Sequence, residues 1–285
     1  MITVDENRNS NISSEHSEEL LNIIENFRLM DDTFMSKVFE DKSCAELLLR
    51  VILNRDDLTV VRVVSQFGIK NLQGRSARLD IYAVDDKGKH YDVEVQRSDD
   101  GAAIRRARYN SSLLDANLLN PGDKFDELPE SYIIFITEHD VLKGGKPLYT
   151  VNRTISELDH AIFTDGSHII YVNGEIRNGT ALGELMQDFF CKDPREMHYK
   201  VLSDRADYFK KDKEGVDTMC KLMEDYADKR ARQAAEAAAE KAAKERSISI
   251  ATNLWNKGER DLQQIADLTD LPLDEVKKLF EGKTA

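Results

Sequence analysis

The spacing of apolar residues changes period along this chain. From residue 17 to 53, SEELLNIIENFRLMDDTFMSKVFEDKSCAELLLRVIL places them at helical intervals. The pattern predicts one or two helices, with capping side chains at residues 31 to 33 and Phe34, Val38, Leu47, Leu48 and Val51 turned toward a core. LTVVRVVSQFGI, 58 to 69, is a β-branched run and predicts a strand. RLDIYAVDDKGKHYDVEVQR, 78 to 97, alternates apolar and polar residues on both sides of a polar, glycine-containing centre, the pattern of a β-hairpin. RSDDGAAIRRARYNSSLLDANLLN predicts a helix capped by Asp99 or Asp100, with an inner stripe of Ile104, Ala107, Ser111, Leu114 and Leu118 and with Arg105, Arg108 and Tyr109 on its other side. SYIIFIT, 131 to 137, is continuously apolar and so buried on both faces.

Strand, helix and buried strand in succession form a parallel crossover, right-handed by rule, so the core is α/β. PLYTVNR and SHIIYVNGEI predict further strands, with Asn173-Gly174 as a tight turn, and TALGELMQDFFCKD a short helix. Residues 1 to 20 read as a disordered N-terminus and 21 to 215 as the globular domain. From 216 to 285 a long, solvated or self-associating helix is followed by a short helical hairpin joined at Thr269 to Pro272 and capped within DLPLDE. That hairpin has a helix-turn-helix outline, but its acidic balance favours packing or dimerisation over DNA reading.

Turn chemistry sets the register of the central hairpin. A three-residue loop, Asp86-Lys87-Gly88, with Gly88 left-handed in a G1 bulge, pairs Ala83 with Tyr91, Ile81 with Val93 and Leu79 with Val95 on one face. The other face pairs Val84 with His90, Tyr82 with Asp92, Asp80 with Glu94 and Arg78 with Gln96. Opposed carboxylates about 5 Å apart repel by roughly 3 kcal/mol at an effective dielectric near 20. Two readings follow: a solvated outer face, with His90 exposed, or a hard divalent cation such as Mg2+ held by Asp80, Glu94 and waters.

Composition narrows the function classes. With 40 basic against 53 acidic residues the net charge is −13, so nucleic acid can be met only through a local basic patch. Cys44, Cys191 and Cys220 lack metal-ligand spacing, which indicates reduced thiols, a cytoplasmic setting and no zinc site. The polar start MITVDENRNSNISSEHSEEL and the lack of a membrane-length apolar run predict neither signal core nor membrane span.

An acid-bearing strand, a turn, a strand bearing E-x-Q, a helix with arginines and a buried parallel strand together resemble the PD-(D/E)xK nuclease fold. The resemblance is closer to the recombination-promoting nuclease (Rpn) group of PD-(D/E)xK nuclease family transposases. It is carried also by LMDDTFMSKVFEDKSCAELLL, by RRARYNSSLL, by FFCKDPREMHYKVLSDRADYFKK, which is similar to the domain tail of gut-bacterial members, and by the LQQIADLTDLPLDEVKKL ending. It covers roughly residues 28 to 215. It implies a restriction-endonuclease-like core, a mixed central sheet flanked by helices, followed by the C-terminal helical extension.

The resemblance also implies a metal-dependent DNA endonuclease active in transposition or recombination. Asp80 and Glu94 match the two acids that bind Mg2+ or Mn2+, with the Val95 carbonyl as a third ligand. Gln96 stands where the family places a lysine that assists the attacking water, and Leu79 stands in place of the proline. An amide orients water but carries no charge, so Arg78, on the same face, or Arg97 would supply it. Arg105, Arg108 or Tyr109 would hold flanking phosphates of DNA, and Asp92 would be an outer acid. Two alternatives stay open: a nuclease fold that binds DNA or protein without cleaving, and an interaction protein, with possible homo-oligomers, acting through the C-terminal helix.

Overall fold

The computed structural model describes residues 18–71 and 74–281. Of the expected disordered segment, residues 1–17 lie outside the described residues, and 18–20 already belong to a helix. The chain divides into two compact units, one reaching Lys221 and one beginning at Leu222.

The apolar stretch before the first strand forms three helices rather than one or two: α1 (residues 18–26), α2 (Asp32–Val38) and α3 (Lys42–Leu53). The extra break falls at Asp41, whose carboxylate takes the orphan amides of Ser43 and Cys44 at 2.8 and 3.3 Å and so starts a new helix. Asp31 holds the cap position of α2 but makes no capping bond, because its carboxylate is taken by the Arg28 amide at 2.8 Å. Phe34, Val38 and Leu48 are buried as the spacing predicts, Leu47 and Val51 are half-buried, and Leu49 and Ile52 complete the inner face of α3.

The main sheet has six strands in the order β1-β2-β3-β4-β8-β5. The strands are β1 (Val60–Ile69), β2 (Ala77–Asp85), β3 (His90–Gln96), β4 (Ser131–Thr137), β5 (Leu148–Val151) and β8 (Ser167–Asn173). A two-stranded ribbon, β6 (Thr154–Ile155) and β7 (Ala161–Ile162), lies apart. β1, β2 and β3 run antiparallel in sequence, β3, β4 and β8 are parallel, and β5 is antiparallel to β8. The sheet is therefore mixed, with helices around it, consistent with a restriction-endonuclease-like fold. Ile133, Ile134, Phe135 and Ile136 of β4 are all fully buried, as a central strand covered on both faces requires. Asn173-Gly174 ends β8 as a turn, and the Gly174 amide closes onto Thr137 O at 2.8 Å. α5 (Ala181–Phe190) follows, capped by Thr180 Oγ1 on the Gly183 amide.

The crossover helix is α4 (Ile104–Leu118), which packs on β4, β8 and β1. The cap position of α4 is Ala103 and not the expected Asp99 or Asp100, because Asp99–Ala102 form a 3-10 turn before it. The expected stripe holds at Ala107, Ser111 and Leu114 and at half-buried Leu118, and fails at its first residue. Ile104 is 65% exposed, while Ala107, Asn110, Ser111, Leu113 and Leu114 face inward.

α6 (Lys200–Lys211) precedes the longest helix, α7 (Lys213–Asn256), which starts ahead of the 216 expected for the C-terminal extension. In the second unit, α8 (Leu262–Thr269) is capped by Asp261 and α9 (Leu273–Phe280) by Pro272 rather than by an acidic side chain. Ala251, Trp255, Ile265, Leu271, Val276 and Phe280 form its core, with Trp255 stacked on Phe280 at 4.4 Å. No helix among the described residues is long and apolar enough to cross a membrane.

Candidate active site

The β2–β3 hairpin closes through the expected turn. Gly88 has φ of 74° and its amide bonds Asp85 O at 3.1 Å, while the Asp85 amide bonds Lys89 O at 3.1 Å. The ladder pairs Val84 with His90, Ala83 with Tyr91, Tyr82 with Asp92 and Ile81 with Val93. The ladder ends there, short of the expected Asp80–Glu94 and Arg78–Gln96 pairs: beyond it β2 continues along β1 and β3 along β4, and Asp80 and Glu94 are linked instead through the Gln96 side chain. The Val95 amide bonds the Asp80 carboxylate, at 3.1 Å from Oδ2.

The polar face is not solvated. α4 covers it, and exposure is 0% for both Asp92 and Glu94 and 9% for Asp80. His90 is half-buried, its Nδ1 2.6 Å from the Tyr82 hydroxyl, so the expectation of an exposed imidazole fails for the same reason.

Three acids thus stand under one helix with too few donors. Gln96 Nε2 reaches Asp80 Oδ2 at 3.4 Å and Glu94 Oε2 at 3.3 Å. Gln66 Nε2 lies 3.5 Å from Asp80 Oδ1, and Asn110 Nδ2 lies 3.4 Å from Asp92 Oδ2. Among the described residues no donor reaches Glu94 Oε1, Asp92 Oδ1 or Gln66 Oε1. Burial, countered by the Val95 amide and increased by Asp32, pushes the Asp80 carboxyl up to about 6. Burial and Asp80 push Glu94 up to about 8 against the pull of Arg106, and Asp92 rises well above the carboxylate range from burial and its two acidic neighbours. Buried acids with too few donors attract cations, and the raised values show the same pull exerted on protons.

Sequence patterning missed several groups here. Arg106 sends Nη2 to Glu94 Oε2 at 2.5 Å and Nη1 to Gln96 Oε1 at 3.3 Å and Gly101 O at 2.7 Å. Gly101 leaves room for this: a Cβ there would stand 2.1 Å from Gln96 Oε1. Gln66 reaches Asp80 from within β1 by adopting φ of 53°, a left-handed conformation that costs a non-glycine residue about 1–3 kcal/mol. Asp32, read as a cap, lines the cleft with its own carboxyl raised by burial.

The cleft above the acids measures about 790 Å³ and is lined by Asp32, Arg75, Arg78, Asp80, Gln96 and Arg105, with Arg106, Tyr109 and Asn110 along α4. Of the residues singled out in the sequence, Asp80, Glu94, Val95 and Gln96 converge, and Arg78, Arg105 and Tyr109 share the cleft. Arg78 lies on the exposed rim. The Tyr109 hydroxyl is tied to Asn71 Nδ2 and to Arg75 O. Arg97 ion-pairs with Asp31 at 3.0 Å and Glu138 at 3.2 Å, and Arg108 lies exposed on α4; neither lines the cleft.

The donor set is all oxygen. No group of three or more His, Cys, Asp or Glu side chains among the described residues is arranged to hold a metal, so a cation here would rest on two carboxylates plus backbone oxygen and water. That set fits a hard divalent ion and not zinc.

The PD-(D/E)XK nuclease family transposase model matches residues 36–181. The chain belongs to the PD-(D/E)XK nuclease family transposases. Its function is accordingly nuclease-like and related to transposition. Neither a search of curated proteins nor one of solved structures found a match.

Proposed function

We propose that this protein is a divalent-metal-dependent endonuclease that hydrolyses phosphodiester bonds of DNA in transposition or recombination. One observation carries the reading: two buried carboxylates, Asp80 and Glu94, the latter with one oxygen that no donor reaches, stand under a cleft rimmed by Arg75, Arg78 and Arg105. An acidic floor suits a cation and a basic rim suits phosphate, which is how a chain of net charge −13 can meet DNA locally.

Asp80, Glu94 and the Val95 carbonyl would hold Mg2+ or Mn2+, which when bound polarises a phosphoryl oxygen and acidifies water. The rim arginines and Tyr109 hold the backbone on either side of the scissile bond, contacts that position a strand without reading it. Gln96, bonded to both acids, orients the attacking water. The water oxygen forms a new bond to phosphorus, the bond to the leaving oxygen breaks, and solvent takes one proton from the nucleophile and returns one to the leaving alcohol. The setting is cytoplasmic, and self-association runs through α7.

The test is cleavage of circular plasmid DNA by purified protein with Mg2+ or Mn2+ and with chelator. Cleavage requires the metal, and Glu94→Ala and Asp80→Asn each reduce it at least about a hundredfold without unfolding the domain. Cleavage that persists in both variants overturns the assignment. Metal-independent DNA binding without cleavage would make the chain a nuclease fold used only for binding.

A further inference from the structure

Resting on that reading, we propose that Arg106 is the catalytic cation of the site, neutralising the scissile phosphate, and that Gln96 is the positioning residue that aims it. Hydrolysis builds negative charge on the non-bridging oxygens of the phosphoryl group, and a nearby fixed cation in a site with little water stabilises that charge. Gln96 is neutral. Arg78, the cation that strand alternation places on the same face, stands exposed on the rim.

Arg106 is placed differently. It projects from the first turn of α4, its side chain is 37% exposed, and it lines the cleft beside Asp80. Three bonds fix its head group: Nη2 to Glu94 Oε2, and Nη1 to Gln96 Oε1 and Gly101 O. These contacts use the two terminal nitrogens, and a guanidinium carries five N–H groups in a rigid fork that matches phosphate oxygens. The Gln96 amide is used from both ends. Its nitrogen bonds the two acids and its oxygen bonds Arg106, so one side chain ties the cation to the carboxylates. Charge and orientation are thereby divided between a helix residue and a strand residue.

The same geometry makes Arg106 a competitor for the acid. Its Nη2 occupies Glu94 Oε2, so a divalent ion binding there must share that oxygen or displace the guanidinium. Removing Arg106 therefore weakens catalysis and strengthens metal binding, a pair of effects that loss of packing would not produce.

The experiment compares wild type, Arg106→Gln, Arg106→Lys and the charge-relocating pair Gln96→Lys/Arg106→Gln by turnover on plasmid DNA and by melting with and without Mn2+. Arg106→Gln should lower kcat about a hundredfold with KM for DNA changed much less, and should show a larger Mn2+-induced rise in Tm than wild type. Gln96→Lys/Arg106→Gln should recover about tenfold over Arg106→Gln, because the charge returns from the strand side. If Arg106→Gln does not fold, Arg106→Lys carries the test, with a loss of about tenfold, since it keeps the charge without the fork. Wild-type turnover in Arg106→Gln, or a Mn2+ response no larger than that of wild type, overturns the role of Arg106 while leaving the metal site intact. A wild type that neither melts later with Mn2+ nor cleaves overturns both this inference and the nuclease reading on which it rests.

Discussion

The two ends of the β2–β3 hairpin treat buried acids in opposite ways. At the turn, Asp85 is 1% exposed and fully served: Oδ1 accepts the Lys87 and Lys89 amides at 3.0 and 2.8 Å, and Oδ2 accepts the Tyr91 hydroxyl at 2.8 Å. Asp188 in α5 is as deeply buried and takes two backbone amides and the His198 ring. At the open end, Asp80, Asp92 and Glu94 share one backbone amide, that of Val95 on Asp80, a few long side-chain amide bonds and one arginine, and Asp92 and Glu94 each keep an oxygen with no donor. The fold supplies donors to a buried carboxylate where the carboxylate is structural. Burying acids without them costs stability, and the shortage is concentrated at one place, under the cleft.

The strongest way to break this comparison is to neutralise one acid at each end. Glu94→Gln should abolish metal-dependent cleavage, by at least about a hundredfold, while leaving the apo protein about as stable as wild type at pH 7, since a carboxyl raised to about 8 is already neutral there and the amide resembles it. Asp85→Ala should do the reverse. Losing the partner of two amides and a buried hydroxyl costs about 3 kcal/mol, or roughly 10 °C in Tm, with turnover per folded molecule unchanged. If Asp85→Ala melts with wild type, or Glu94→Gln melts far below it, the two ends do not differ in kind.

A finer probe is pH. Asp80 and Glu94 are raised, to about 6 and about 8, so the folded state holds protons that the unfolded chain has already released. Their contribution to stability is complete below their ordinary values near pH 4, and is lost as pH rises through 6 and then 8. The apo protein should lose on the order of 2 kcal/mol relative to Glu94→Gln over that window, read as the difference between their denaturation midpoints. Mn2+ should offset this loss most at the alkaline end. A constant difference between the two proteins across pH would place the shifted carboxyls elsewhere.

The smallest effect separates the two outward arginines of α4. Arg105 lines the cleft and Arg108 does not. Arg105→Ala should reduce the salt slope of DNA binding by about one, the release expected for one phosphate contact, and Arg108→Ala should leave it unchanged. Equal slopes would move the strand path off the cleft.

Much of this site was legible before any coordinates, because turn chemistry fixes register and register fixes neighbours. Gly88 sets the loop and the loop sets the ladder as far as Ile81 against Val93; beyond it the Val95 amide and the Gln96 side chain, not strand pairing, tie Asp80 to the strand that bears Glu94. Arg106 was illegible for a physical reason. Helical periodicity identifies an inner face by its apolar residues, but a helix that covers an acidic floor must turn polar ones inward, as α4 does with Arg106 and Asn110. The spacing that placed Ala107, Ser111 and Leu114 inside does not reach Ile104, which opens α4 and lies exposed there. Gln66 was illegible in another way, since nothing in a β-branched strand marks the residue that will turn left-handed.

In α7 every residue from 224 to 246 is exposed, so within one chain that stretch is stabilised by its backbone bonds, by side-chain pairs such as Lys241–Glu245 and by the Lys244–Glu275 pair to α9, with no apolar face to hold it. Where no second chain covers it, its helix–coil balance is close to that of a free peptide, relaxing within about a microsecond. Amide hydrogens in the middle of the longest helix should therefore exchange with deuterium far sooner than those of β4, whose opening requires the whole domain to unfold. Limited proteolysis should cut first inside the α7 stretch as well, releasing two fragments from a chain that is helical at the point of cleavage.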